Sequence, residues 1–334
     1  MRVSLRLRYT DRKSLTDLIA TADEVGLHGL WISEPWGYDC SALLGWCAAH
    51  TDRLELGTHV SSVYARSAAM IAGLAGSLWS LTEGRFRLGL GVSGPAVVEG
   101  WHGVAFDRPV ARTRDTVAVI RQALSGAAVS YRGEEISVPR AESGWRPLRF
   151  ALQSGDAPVP IYLAALGPAN QRLTAEIADG WTPTPYSPDH HQAFAAPLLE
   201  ALGSTGRRVQ LAPVAPMAAG TDRAALHELE RGWSALYLAS MGEFYAAAVR
   251  RMGYADMVED IRTHHGSGDR AAARQAVRAD YIDSIGLFGT PAAISRRLHD
   301  YETVGIDEVV VELRKRDAAE QLEDLQALGK ALAL

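Results

Sequence analysis

A chain of 334 residues with 47% hydrophobic and 22% charged side chains has the balance of a globular protein of enzyme size, which excludes disorder. Its net charge of −5 leaves no broad basic surface for nucleic acid and no Lys/Arg run that would hold a membrane. The opening MRVSLRLRYTDRK lacks the order of a signal peptide and no stretch is apolar enough to span a bilayer, so a cytoplasmic protein with no membrane partner is expected.

Residues 2–8 alternate as a strand, and Leu15, Leu18, Ile19, Ala22 and Val25 then recur at helical spacing up to a stop at Gly26. GLWIS (29–33) is a short buried strand, and Asp39 caps a helix running to about His50. Cys40 and Cys47 on that helix are seven apart, which suits buried thiols and neither a disulfide framework nor a metal site. RLELGTHV (53–60) is the third strand, 68–80 an apolar small-residue helix, and the strand beginning at Gly84 is the fourth. The next clear helix is predicted from about Arg112 to Ser125, followed by a surface hairpin over 128–137 turning at Arg132-Gly133.

Strands five, six and seven are predicted at 160–165, 179–183 and 207–216, with helices at 168–178 and 189–202 between them. A polar-faced helical stretch follows, and the segment 222–285 reads as a helical insertion. A helix over 289–302 is signalled by Thr290 as cap and Pro291 at its first position, GIDEVVVEL (305–313) is the eighth strand, and 317–331 closes as a helix. Eight short apolar strands alternating with helices predict an α/β fold, a (β/α)8 TIM barrel made of the whole chain 1–334 as one domain, with a helical insertion late in the chain.

Gly89-Leu90-Gly91-Val92-Ser93-Gly94 satisfies the G-x-G-x-x-G pattern of a dinucleotide turn. Such a turn leads straight into a helix within an open sheet, whereas Pro95 and the stretch after it delay the next helix and the strand count is that of a barrel. On a barrel the same segment lies at the C-terminal rim, where bare backbone offers amides to an anionic ligand. The other strand ends supply Ser33 to Tyr38, His59 to Ser62, Ala165 to Pro168 and Trp181 to Pro183. This rim of aromatics, glycines and one early carboxylate carries no HExxH, no carboxylate cluster for a metal pair and no nucleophile elbow. No metal is expected; a planar cofactor with a phosphate tail suits such a surface.

The segments WISEPWGYD (31–39), LELGTHVSSVYARS (54–67), GRFRLGLGVSGPAVVEGWHG (84–103), IYLAALGP (161–168) and EIADGWTPT (176–184) resemble the ordered landmarks of the bacterial-luciferase-like superfamily. More narrowly they resemble its members that use the deazaflavin coenzyme F420, and the likeness runs the length of the chain. The resemblance implies a non-proline cis peptide at His59–Val60 against the deazaflavin ring, with Ser61 beside it. It implies a tail site at Gly91, Val92, Ser93, Ala165, Leu166 and Gly167, whose missing side chains would let amides reach the tail. It places Glu34 near the reacting edge, as cofactor contact and catalytic acid. Gly94 and Pro35 stand where some relatives carry a histidine, Ala96 where near relatives carry glutamine, and His59 where glycine is commoner.

The implied activity is an F420-dependent oxidoreductase moving a hydride from reduced F420 to a C=C or C=N bond of a small molecule or biosynthetic intermediate, in a homodimer. Trp36, Tyr38 and Trp181 are candidate substrate contacts or loop-packing residues, and Glu34 is alternatively an ion-pair partner of Arg66. Three rivals remain at this point: an FMN-dependent monooxygenase on the same scaffold, a non-catalytic cofactor-binding protein and, if the literal G-x-G-x-x-G is real, a nicotinamide enzyme with a Rossmann domain, against which the strand count argues.

Overall fold

Strand and helix alternate because short apolar runs are cut by capping residues. The structure is a computed structural model that describes residues 1–34, 36–151 and 158–334; Pro35 lies outside the described residues. β1 (Arg2–Leu7) leads to α1 (Arg12–Glu24), β2 (Gly29–Ile32) to α2 (Cys40–Ala48), and β3 (Glu55–Thr58) with β4 (Ser61–Ser62) to α3 (Ala68–Leu81). Asp39 caps α2 by accepting from the Ser41 amide, as its position predicts.

After β5 (Phe86–Gly91) a helix begins sooner than predicted. The single turn α4 (Pro95–Val98) follows Gly94 directly, with proline at its first position, and α5 (Pro109–Leu124) starts ahead of Arg112 for the same reason. The hairpin pairs β6 (Tyr131–Arg132) with β7 (Ser137–Val138), so its turn covers 133–136. Next come β8 (Ile161–Leu163), α6 (Pro168–Ile177), β9 (Gly180–Trp181), α7 (His191–Thr205), β10 (Gln210–Leu211) and β11 (Val214–Ala219). α8 (Arg223–Ser240), α9 (Glu243–Arg251), α10 (Ala255–Gly266), α11 (Arg270–Gln275) and α12 (Ala279–Ile285) fill the interval before β12 (Leu287–Gly289), a strand the sequence reading lacks. The chain ends with α13 (Pro291–Thr303), β13 (Glu308–Leu313) and α14 (Ala318–Leu332).

The barrel strands run parallel in the order β9, β8, β5, β3, β2, β1, β13, with Leu5 of β1 opposite both Leu30 and Val311. Closure falls to β10 and β11, one strand broken at Ala212-Pro213. Leu211 pairs with Trp181 of β9 on one side, and Val214 pairs with Val310 of β13 on the other. Counting β10 and β11 as one gives eight positions, the (β/α)8 barrel expected.

Both faces of a barrel strand are buried, so alternation separates two interiors. Val3, Leu5 and Leu7 join the large core beneath the helices. Ser4 and Arg6 face the barrel axis with Trp31, Tyr162, Val214 and Val310. Low in the axis, the guanidinium of Arg87 lies 4.4 Å over the Trp31 ring and grips Glu308 through both terminal nitrogens, while its Nε is 2.7 Å from Glu55. Trp31 also donates to Glu308, at 2.9 Å. Among the described residues no helix is long and apolar enough to cross a membrane.

Candidate functional site

The site begins where β3 ends. The His59–Val60 peptide is cis, as the resemblance implies, and the side chains on either side of it part. Val60 faces the cavity above β5 and β8. His59 turns into the barrel and is buried, its Nε2 2.8 Å from Thr182 Oγ1. Thr182 has one hydroxyl proton and gives it to the Ala212 carbonyl at 2.8 Å, so it must accept from His59, which fixes the Nε2–H tautomer. Burial, aided by the charge of Arg6, drives the imidazole down to about 3, leaving it neutral at ordinary pH. His59 is therefore a strut and not a base.

Val60, Gly91, Val92, Ser93, Leu166 and Gly167 line one cavity, which the aromatic rings of Phe244 and Tyr245 from α9 roof. The glycines there serve a purpose different from the one expected. A Cβ on Gly89 would lie 2.0 Å from the Thr58 carbonyl oxygen, and one on Gly91 would lie 2.5 Å from Val60 Cγ2. Those two glycines make room for β3 and for the residue of the cis bond. Gly167 differs, since a Cβ there meets nothing within 4 Å. Its neighbour Leu166 has its carbonyl held by Gln171 and Arg251, and the trans peptide then turns the Gly167 N–H the opposite way.

Among the described residues the amides of Val92, Ser93, Leu166 and Gly167 donate to no acceptor. Ser93 is in the left-handed region, with φ 59°, an unusual conformation for a residue with a side chain. Asn170, one turn into α6 and also lining the cavity, keeps its buried Oδ1 unpartnered. Unpaired amides, an orphaned buried amide oxygen and the open N-terminus of α6 fit the phosphate and hydroxyls of a cofactor tail. Ala165 lies behind this wall. It is buried, and its carbonyl accepts from Trp181 Nε1 at 2.7 Å.

That bond corrects the expectation for Trp181 as a substrate contact. Its ring is 0% exposed, stacked 5.8 Å from Phe194, and it holds the 165–167 loop in place. Trp36 is 46% exposed on the outer rim, and Tyr38 packs 5.5 Å from Tyr9. Glu34 makes the ion pair expected with Arg66, which donates to both its oxygens, and Ser61 Oγ donates to it at 2.9 Å. Arg66 also pairs with Asp39, so a guanidinium already fills the space among Glu34, Asp39 and Cys40 where a cation could have sat.

A second chamber shares Thr184 and Tyr245 with the first and is walled by Arg6, Glu230, Trp233, Tyr237 and Arg314. Behind it, burial alone would raise the Glu312 carboxyl, but Arg314, Arg6 and Arg8 overrule it and hold the group well below the carboxylate range. For Glu230 burial wins over Arg314 and Ser234, and its carboxyl is raised. The sequence reading missed this layer. Its signal was present as charges at period two, Arg6 and Arg8 on and after β1 against Glu308, Glu312 and Arg314 on and after β13.

A family model described as luciferase-like monooxygenase matches residues 3–308. A Mycobacterium tuberculosis protein assigned to the coenzyme F420-dependent oxidoreductases is 33% identical over 98% of this chain and 99% of its own length. The 5,10-methylenetetrahydromethanopterin reductase of Methanolobus tindarius is 26% identical over 86% of each chain. The solved structure of the coenzyme F420-dependent tetrahydromethanopterin reductase from Methanopyrus kandleri superposes with a TM-score of 0.81, covering 98% of this chain and 97% of that one at 21% identity.

Proposed function

The chain belongs to the luciferase-like family, in its F420-dependent oxidoreductase branch, and on that premise we propose that it transfers a hydride from reduced F420 to a C=C or C=N bond of a small molecule. When bound, the coenzyme supplies the two-electron hydride chemistry. The protein binds, orients and shields. The cis His59–Val60 segment forms the floor for the ring, and His59, neutral and braced by Thr182, fixes that floor. The amides of Val92, Ser93, Leu166 and Gly167, with Asn170, hold the tail, and Ala165 supports them from behind.

The observation that carries this reading is the row of unpaired amides and the orphaned Asn170 oxygen around one cavity, directly beside the cis peptide. We assign proton handling to Glu34, oriented by Ser61 and Arg66 at the edge of the ring floor. The helical segment 222–285 roofs the site, and Trp36 and Tyr38 border the entrance. A homodimer is proposed with it, to be checked by light scattering.

Titration with F420 and with FMN, followed by absorbance and fluorescence, tests the cofactor. Selective binding of F420 is expected. Preference for FMN overturns the reading.

A further inference from the structure

Arg6 stands at the C-terminal end of β1, its side chain 13% exposed, and lines the chamber beside the cofactor cavity. Its hydrogen bonding is nearly empty. Nε donates to Ser33 Oγ at 2.7 Å, and Nη1 stops 3.6 Å from Glu312, beyond a good hydrogen bond. Nη2 donates to nothing among the described residues.

The carboxylates that could have satisfied it are engaged elsewhere. Glu312 Oε1 takes Arg8, and its Oε2 lies 2.6 Å from Arg314. Glu230 is gripped by Arg314 through Oε2 and takes Ser234 at 2.6 Å through Oε1. Arg6, Arg8 and Arg314 thus share two carboxylates, Glu312 and Glu230, and Arg6 keeps the surplus. The terminal nitrogens of Arg6 are open to the chamber, so the acceptor they lack is free to come from whatever occupies it.

The walls narrow what that acceptor belongs to. Trp233 and Tyr237 lie 4.4 Å apart, and Tyr237 meets Tyr245 edge to face at 4.9 Å. These rings suit a flat apolar body, and the open edge of a guanidinium suits the paired oxygens of a carboxylate. We propose that this chamber takes a substrate with a planar unsaturated body ending in a carboxylate, and that Arg6 is the residue that binds the carboxylate. The inference rests on the reading above, in which this chamber is the substrate side of the coenzyme.

Calorimetric titration with but-2-enoate and with but-2-enamide, the same shape with and without the charge, tests it. The protein is used both free and loaded with F420. The enoate should bind at least tenfold more tightly than the amide, a difference of about 1.4 kcal/mol. Arg6→Met should bring the two within twofold while leaving F420 affinity within twofold, and Arg6→Lys should keep part of the preference. Equal binding of the two probes, no binding of the enoate, or a preference that survives Arg6→Met overturns the proposal. So does a tenfold loss of F420 affinity in Arg6→Met, which would make Arg6 a coenzyme ligand. Failure of the wild-type protein to bind F420 while the enoate preference persists overturns the cofactor reading alone.

Discussion

Two layers of buried arginine and carboxylate lie one above the other along the barrel axis, and they are built to different rules. In the lower layer Arg87 is flanked by two carboxylates: Glu308 takes both terminal nitrogens, Glu55 lies 2.7 Å from Nε without making a hydrogen bond, and Trp31 stacks beneath. In the upper layer Arg6 has a single good hydrogen bond. A guanidinium neutralised by two carboxylates marks a structural element, whereas one whose terminal donors face an open chamber marks a place prepared for something else.

The widest gap between the layers should appear in stability. Arg87→Met strips Glu308 of its cation deep in the barrel and should cost about 3–5 kcal/mol, the usual penalty for orphaning a buried charge. Arg6→Met leaves Glu312 with Arg8 and Arg314 and should cost about 1 kcal/mol or less. Urea denaturation of both variants measures the gap, and equal losses break the comparison.

Glu34 sharpens it. Its oxygens are as fully engaged as those of Glu308, yet it is assigned a proton-handling role. Glu34→Gln should lower single-turnover reduction by about 10²- to 10⁴-fold while F420 affinity holds. Unchanged turnover would return Glu34 to the structural class with Arg66.

Acid should act on the barrel interior in two stages, first at His59 beside the upper layer and then at Glu308 in the lower one. His59 is held down to about 3 against an ordinary 6.5, so its contribution is complete above pH 6.5 and drains away as pH falls toward 3. Glu308 is held at about 2 against an ordinary 4.5, because Arg87 overrules the burial that would raise it. Its share is complete above pH 4.5 and is lost as pH falls through 2. Each group gives a slope of at most about 1.4 kcal/mol per pH unit. His59→Gln should therefore flatten the stability curve between pH 6.5 and 4.5, and Arg87→Met the part below.

The smallest effect distinguishes the glycines. Gly91→Ala drives a methyl into Val60 and should weaken F420 binding at least tenfold, together with stability. Gly167→Ala meets open space, so stability should stay within about 0.5 kcal/mol and only F420 affinity should fall. If both variants bind F420 normally, the tail does not lie there.

The barrel was legible from the chain because short apolar strands and capped helices alternate eight times, and Asp39 and Thr290 cap where the sequence places them. Proline at a first helical position misled the reading between 95 and 109, where it starts helices and does not delay them. The charged axis was hidden for a different reason. Alternation in RVSLRLR separates two faces but does not say which is interior, and here Ser4 and Arg6 face inward while Leu5 faces the helices. Trp181 stands at a strand end as a rim residue would, yet Phe194 and Ala165, from the neighbouring helix and strand end, draw it inside. The cis bond was expected from family resemblance; no rule of composition or spacing contains it.

The hydrogen-bonded seam between β1 and β13 sets Arg2 beside Glu308, almost the whole chain apart. During synthesis the first strand therefore waits with a bare parallel edge until residues 308–313 have emerged from the ribosome, long after every helix over 223–285 is made. A product cut short before that point keeps two raw edges in place of a ring, each a template for a stranger's strand, and its fate is aggregation.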